Sequence, residues 1–363
     1  MRAQGRLWLP LVAIVALLTA GLLAAHAPTP TLFAGLLAGI ALALSGRASG
    51  GRSPLVVHPA LVHLSQAAIG VTVGSYVRPQ TLSGVASHAA PILGTCIATL
   101  AVSVLTGLLL ARRSDVDRPT GAFCMIAGGA SGLTAVSREL GADERLVVVV
   151  QYLRVVLVVT TTPLIARLVF APGGDSGVAH VVPAAVVPSL AVLLVCTAVG
   201  LLLNALVPLP AGALLGPLTA SAATALLGAS YGGIVALLAQ SVAFAVVGAQ
   251  IGLRFTPATL RVARNVLPAA LALIVAVMAA CYGFGVLLAA MTHKPALDGY
   301  LATTPGGLYV VLATAASTRA DLTFVVAVQV LRLVVMLVSA PLLAKLLRQT
   351  STATRGAAEG TTA

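Results

Sequence analysis

The chain has 363 residues, of which 59% are hydrophobic and only 8% charged, with a mean hydropathy of +1.06. A soluble domain carries about 25% charged residues, so no stretch outside the apolar runs can fold as a soluble catalytic or DNA-reading domain. The net charge of +12 would suggest nucleic acid on a soluble protein, but here the basic residues gather in short loops between apolar runs, the orientation signal of a membrane protein.

Hydrophobic runs follow one another at 7–25, 29–45, 55–77, 85–111, 121–137, 145–169, 182–206, 210–228, 231–253, 265–291, 299–317 and 322–347. About 20 apolar residues cross a bilayer as a helix; most of these runs are long enough and 29–45 is marginal. The first run, behind Arg2 and Arg6 and ending at Ala25-His26-Ala27, is written like a signal peptide. Its length and its counterpart at 182–206 predict that it is retained as part of the architecture. The polar tail from Arg348 to Ala363 is Thr/Ala-rich and predicts disorder.

The runs are written twice. Adding 178 to a residue number takes Gly70 and Gly74 to Gly248 and Gly252, Pro79 to Pro257, and Gly107 to Gly285. The same step takes Gly128-Gly129 to Gly306-Gly307, Asp143 to Asp321, Gln151 and Arg154 to Gln329 and Arg332, and Pro163 to Pro341. Internal duplication in a hydrophobic chain predicts two homologous membrane repeats with a site at their interface. The expected division is a first repeat over 1–178, a second over 179–347 and a tail over 348–363.

Charge decides how the repeats face. With Arg2 and Arg6 inside, twelve crossings put 12 basic residues inside and 7 outside. If the fifth run of each half dips in and returns, the split becomes 15 to 4 and the second half is inverted. The positive-inside rule favours the inverted arrangement. The predicted fold is therefore an all-α polytopic membrane protein with about 10 crossing helices and one broken or re-entrant segment per half.

The fifth runs suit that role. Run 121–137 carries Gly121, Gly128, Gly129 and Gly132, and run 299–317 carries Thr303-Thr304-Pro305-Gly306-Gly307. Thr304-Pro305 reads as an N-cap and first-turn pair for a helix that begins inside the membrane. Broken backbone at that depth is tolerated only beside protein or a water-filled cavity. The pairs Gly35/Gly39, Gly70/Gly74 and Gly248/Gly252 have the i, i+4 spacing of close helix contacts.

Each half places one Gln-x-x-Arg in its last run, Gln151/Arg154 and Gln329/Arg332. The spacing puts both side chains on one helix face. Each arginine follows Asp143 or Asp321 by eleven residues, about 16 Å of helix and close to mid-membrane. A central arginine costs at least about 2.5 kcal/mol to insert unless compensated. The nine acids, Asp298 among them, all read as lying in or near loops, which argues against a buried carboxylate relay. Backbone carbonyls, Asp143 and Asp321, or an anionic ligand remain as compensation. Two arginines and two helix N-termini would make an anion site; the alternative is that the arginines lock the halves together through carbonyls and Gln.

Other chemistry is thinly supported. Cys96, Cys124, Cys196 and Cys281 all lie in apolar runs without close spacing and read as buried thiols. His26, His58, His63, His88, His180 and His293 form no ligand pair. No metal, cofactor or catalytic residue is expected, and the chain reads as something other than an enzyme.

The motifs resemble a known family. Leu209-Pro210-Ala211-Gly212-Ala213-Leu214-Leu215-Gly216-Pro217 looks like its Pro-x-x-x-Leu-Leu-Gly-Pro element. Thr304-Pro305-Gly306-Gly307-Leu308, Asp321 and Val328-Gln329-x-x-Arg332 look like its second element, and Gly128-Gly129, Gly141-Ala142-Asp143, Gln151 and Arg154 like the first copy. This is the membrane AbrB duplication family, also labelled an ammonia monooxygenase family and a transcriptional regulator family. Ala127 stands where the other copy has Pro305, and Thr318-Arg319-Ala320-Asp321 departs from the Gly-Ala-Asp of 141–143. The family is similar to the cation:proton antiporter and bile-acid-type carriers, which implies inverted repeats and broken helices.

The expected function is a secondary-transporter-like protein of a bacterial-type inner membrane, both termini cytoplasmic. It would move a small organic anion through a midplane site of Gly128, Gly129, Gln151, Arg154, Pro305, Gly306, Gly307, Gln329 and Arg332. The alternative is a membrane-embedded sensor that influences gene expression, and the monooxygenase reading ranks last. The expected partners are the anion and the bilayer, with no direct nucleic acid; a homodimer is left open.

Overall fold

The computed structural model describes residues 2–24, 29–45, 56–77, 87–113, 116–127, 142–170, 185–206, 212–229, 231–257, 264–318 and 320–336, with positions 261, 338, 339 and 342. Gly128 and Gly129 lie outside the described residues, as does the tail from 348 onward. The described residues form helices and connecting turns, with no strand among them. In chain order the helices are α1 (Arg2–Ala24), α2 (Pro30–Leu44), α3 (Pro59–Gly74), α4 (Ala89–Arg113), α5 (Arg118–Met125) and α6 (Glu144–Val169). There follow α7 (Val186–Leu206), α8 (Gly212–Leu226), α9 (Gly233–Gly252), α10 (Leu267–Thr292), α11 (Ala296–Thr303) and α12 (Leu308–Ser317). The last is α13 (Leu322–Met336).

Their starts follow local chemistry. Proline fills the first turn of α2, α3 and α5, where its missing N–H costs nothing. Asp117 caps α5 by accepting from Thr120 N at 3.0 Å, and Asp143 caps α6 by accepting from Arg145 N at 2.9 Å. Five helices (α4, α6, α7, α9 and α10) are long and apolar enough to cross a membrane. Their outward faces are apolar: Val187 on α7 is 77% exposed and Leu202 61%. Such faces suit lipid rather than water.

The helices gather in two groups. α1, α2, α3, α7, α8 and α9 pack mainly among themselves, and so do α4, α5, α6, α10, α11 and α12. In the first group α2 lies along α9, and α3 along α8. Glycine allows that approach. A Cβ on Gly35 would fall 2.2 Å from the Ala245 carbonyl oxygen, and one on Gly248 2.2 Å from that of Leu32. The paired glycines of the sequence are therefore helix-contact residues.

Between the groups the packing is mainly apolar, with Arg254 after α9 over the Tyr152 ring of α6 at 5.6 Å. Leu36, Ile69, Leu214 and Val247 of the first share one buried cluster with Val159, Leu301 and Val311 of the second and Val325 of α13. α12 meets α3 across this boundary.

Run 299–317 is broken. α11 stops at Thr303, residues 304–307 are non-helical, and α12 starts at Leu308. The break falls where glycine and proline put it, but the cap differs from expectation. Thr304 closes the end of α11, with its N–H on Tyr300 O at 3.0 Å, and the N-cap of α12 is Gly307. The physical reason is the backbone. Gly306 at φ 110° and Gly307 at φ 64° both occupy the left-handed side, so a helix cannot begin before them.

Candidate functional site

The site is built from two short helices, α5 and α11, and the helices α6 and α13 that hold them. A helix end leaves its last carbonyls without intrahelical donors. At the end of α5 these include Phe123, Met125 and Ile126. Gln151 Nε2 donates to Phe123 O at 2.7 Å and to Ile126 O at 2.8 Å, and Arg154 donates to Met125 O at 3.1 Å. A second guanidinium N–H of Arg154 donates to Gln151 Oε1.

The same set recurs 178 residues on. Gln329 Nε2 donates to Leu301 O at 2.7 Å and to Thr304 O at 3.3 Å. Arg332 donates to Thr303 O at 2.8 Å, to Thr304 O at 2.5 Å and to Gln329 Oε1 at 2.7 Å. All four side chains are buried. Each arginine thus sits against the negative end of a half-helix dipole, which offsets part of the cost of its burial.

The interlock expected between halves is corrected by this geometry. These bonds run within each half of the chain, α6 holding α5 and α13 holding α11. Asp143 and Asp321 do not compensate the arginines; each caps its own helix.

What crosses between the halves is the remaining edge of Arg154. Its Nε has no hydrogen-bond partner, and neither has that of Arg332. A Cβ placed on Gly306 would lie 3.2 Å from Arg154 Nε, and one on Gly307 2.8 Å from Val158 Cγ1. Arg154 therefore faces the break between α11 and α12, at the N-terminus of α12. A guanidinium and a helix N-terminus are both positive. Among the described residues of α5, α6, α12 and α13 and their N-caps the acids are Asp117, Asp143, Glu144 and Asp321, all at helix starts.

Of the predicted site residues, the structure brings together Gln151 and Arg154 with α5, Gln329 and Arg332 with α11, and Gly306 with Arg154, while Gly307 meets Val158. Pro305 lies within the break, and Gly128 and Gly129 fall outside the described residues. One residue was missed. Asp298, read as a loop acid, is in the first turn of α11 and only 2% exposed. Its Oδ1 accepts from Asp321 N at 3.1 Å, as Thr120 Oγ1 accepts from Asp143 N at 2.8 Å. The offset of 178 from Thr120 was the signal that could have found it. Burial pushes the Asp298 carboxyl up to about 6, with neighbouring Asp321 adding to the shift and Lys294 opposing it.

The described residues are thus helices and turns, with several helices suited to a membrane and a helix break facing a buried arginine. It belongs to the AbrB family: the family described as transition state regulatory protein AbrB matches residues 32–348. It is similar to "Putative regulator AbrB" of Escherichia coli (strain K12), 31% identical across 93% of this chain and 95% of that protein. It is also similar to "Uncharacterized protein YhjN" of Bacillus subtilis (strain 168), 28% identical across 77% of this chain and 76% of that one.

Proposed function

We propose that this protein is a multi-pass inner-membrane carrier of two inverted repeats, 1–178 and 179–347, that moves a small organic anion. The site lies near mid-membrane between the repeats, at Gly128, Gly129, Gln151, Arg154, Pro305, Gly306, Gly307, Gln329 and Arg332. The observation that carries this reading is the unpaired Nε of buried Arg154 facing the Gly306–Gly307 break. Two like charges, a guanidinium and the start of α12, converge there, and an anion relieves that repulsion. The two groups of helices, with a mainly apolar boundary between them, suit the movement of one against the other. No cofactor, metal or catalytic group enters this reading.

A second reading, a ligand-binding membrane sensor, is favoured by the printed name of the Escherichia coli relative. One experiment separates them. The full chain in detergent is screened by thermal shift against small carboxylates, sulfonates and chloride, and the stabilising acid is then tested for counterflow in proteoliposomes. Stabilisation with flux supports the carrier. Stabilisation without flux supports the sensor, and no stabilisation by any anion sinks the anion carrier.

A further inference from the structure

Along α6, Gln151, Arg154, Val158 and Thr162 recur at the three- and four-residue spacing of one helix face. The first three meet α5 and the break in turn; the fourth is Thr162. Its neighbours Thr160 and Thr161 return their hydroxyls to Leu157 O at 3.0 and 2.7 Å, as helix threonines commonly do. Thr162 Oγ1 makes no hydrogen bond, although the residue is fully buried. Pro163 follows it inside the helix and has no N–H for the Val159 carbonyl on the same turn.

Opposite lies Tyr300 of α11, one turn before Thr304. Its hydroxyl lies near those of Thr162 and Thr304, is buried and completes no hydrogen bond. Phe170 stacks on the Tyr300 ring at 5.5 Å, and Tyr282 packs against it edge-on at 5.8 Å. Buried polar atoms in native proteins are paired, so orphans that gather at one place mark a missing partner.

We infer that the Thr162 and Tyr300 hydroxyls, with the freed Val159 carbonyl, form a second subsite that takes a hydroxyl group of the substrate whose carboxylate meets Arg154. The inference rests on the anion reading above. The substrate class is then a hydroxy acid with its hydroxyl remote from the carboxylate. Arg154 and Thr162 are eight residues apart, about 12 Å along the helix, so the chain between the groups is several carbons long.

A neutral hydroxyl fits better than an ammonium group. Arg154 and Arg332 both charge this region positively. Asp298, two residues before Tyr300, lies on the other side of α11, where it serves Asp321 N.

The test is binding by thermal shift and calorimetry on the full chain. The probes are linear acids from acetate to hexanoate, each beside its terminal hydroxy and terminal amino derivative. The wild type is expected to bind one hydroxy acid about tenfold more tightly than the unsubstituted acid, the worth of one good buried hydrogen bond. Tyr300→Phe and, as a second and smaller change, Thr162→Val should each remove that preference while leaving the unsubstituted acid's affinity unchanged. Equal binding of hydroxy and plain acids by the wild type overturns the subsite and leaves the Arg154 anion site standing. A preference for the amino acid, or a hydroxyl preference that survives both variants, also overturns it. If no acid binds, the anion reading falls and this inference with it.

Discussion

Arg154 and Gly306 belong to opposite halves of the chain, yet the guanidinium Nε of one would lie 3.2 Å from a Cβ placed on the other. Gly306 has φ 110°, so its lack of a side chain serves two ends. It lets the backbone reverse between α11 and α12, and it lets a buried cation approach that reversal. The other guanidinium nitrogens of Arg154 are committed to the end of α5 and to Gln151. One charged group thereby joins the C-terminal end of one half-helix to the N-terminal side of the next break.

Gly306→Ala is expected to fold with reduced stability and to lose stabilisation by small organic anions. The left-handed backbone disfavours an L side chain by about 1–2 kcal/mol, and the methyl would crowd Nε. Thermal shift with and without the acid separates the two effects. An undiminished response to the acid would show that the break is not part of an anion site.

Gln151→Leu and Gln329→Leu should each lower stability by about 2 kcal/mol or more. Each removes two amide donations to half-helix carbonyls and one acceptor for an arginine, and orphaned buried polar groups cost about 1–3 kcal/mol apiece. The loss at Gln151 should be the larger, since Thr304 O keeps its bond from Arg332 when Gln329 is removed, while Phe123 O and Ile126 O both lose their side-chain donor. Unfolding in detergent measures both; a loss at only one position would show that only one of the two half-helices is held in this way.

Gly248→Ala is expected to destabilise by about 1–3 kcal/mol, the cost of overpacking a tight contact, because its methyl would meet the Leu32 carbonyl at 2.2 Å. Gly283→Ala in α10 is the control. Nothing lies within 4 Å of its Cβ, and alanine is better than glycine in a helix by about 1 kcal/mol. Equal behaviour of the two variants would contradict the α2–α9 packing.

Much of this arrangement was legible in the chain. Spacing alone put Gln151 with Arg154 and Gln329 with Arg332 on one face, and the i, i+4 glycines marked Gly35 and Gly248 as contact points. Thr303–Gly307 announced a broken segment. What spacing could not supply was direction in space. The partners of each arginine are carbonyls, which every residue carries, so nothing in the residue types singled out Met125 or Thr303. The cap shifted from Thr304 to Gly307 because two consecutive positive φ values are set by the tertiary path. Asp298 read as a loop acid because it precedes an apolar run by one residue; only packing against Asp321 buries it.

Asp298 supplies the pH dependence. Its carboxyl titrates at about 6 in the folded protein against 3.8 for a free aspartate, chiefly through burial. A raised carboxylate value means that the folded state holds its proton more tightly than the unfolded chain. Stability from this group is therefore full below 3.8, falls as pH rises towards 6, and stays low above that. The groups facing it are Asp321 from the start of α13, whose own partner is Lys294 Nζ at 2.9 Å, and that same Lys294 just after α10. Asp298→Asn keeps an acceptor for Asp321 N and cannot ionise. Relative to the wild type it should gain stability as pH rises from 3.8 towards about 6 and keep that gain above it. Melting temperatures of both proteins from pH 4 to pH 8 give the comparison. A difference independent of pH would mean that Asp298 titrates as an ordinary exposed acid, and its carboxyl would then not be buried in solution.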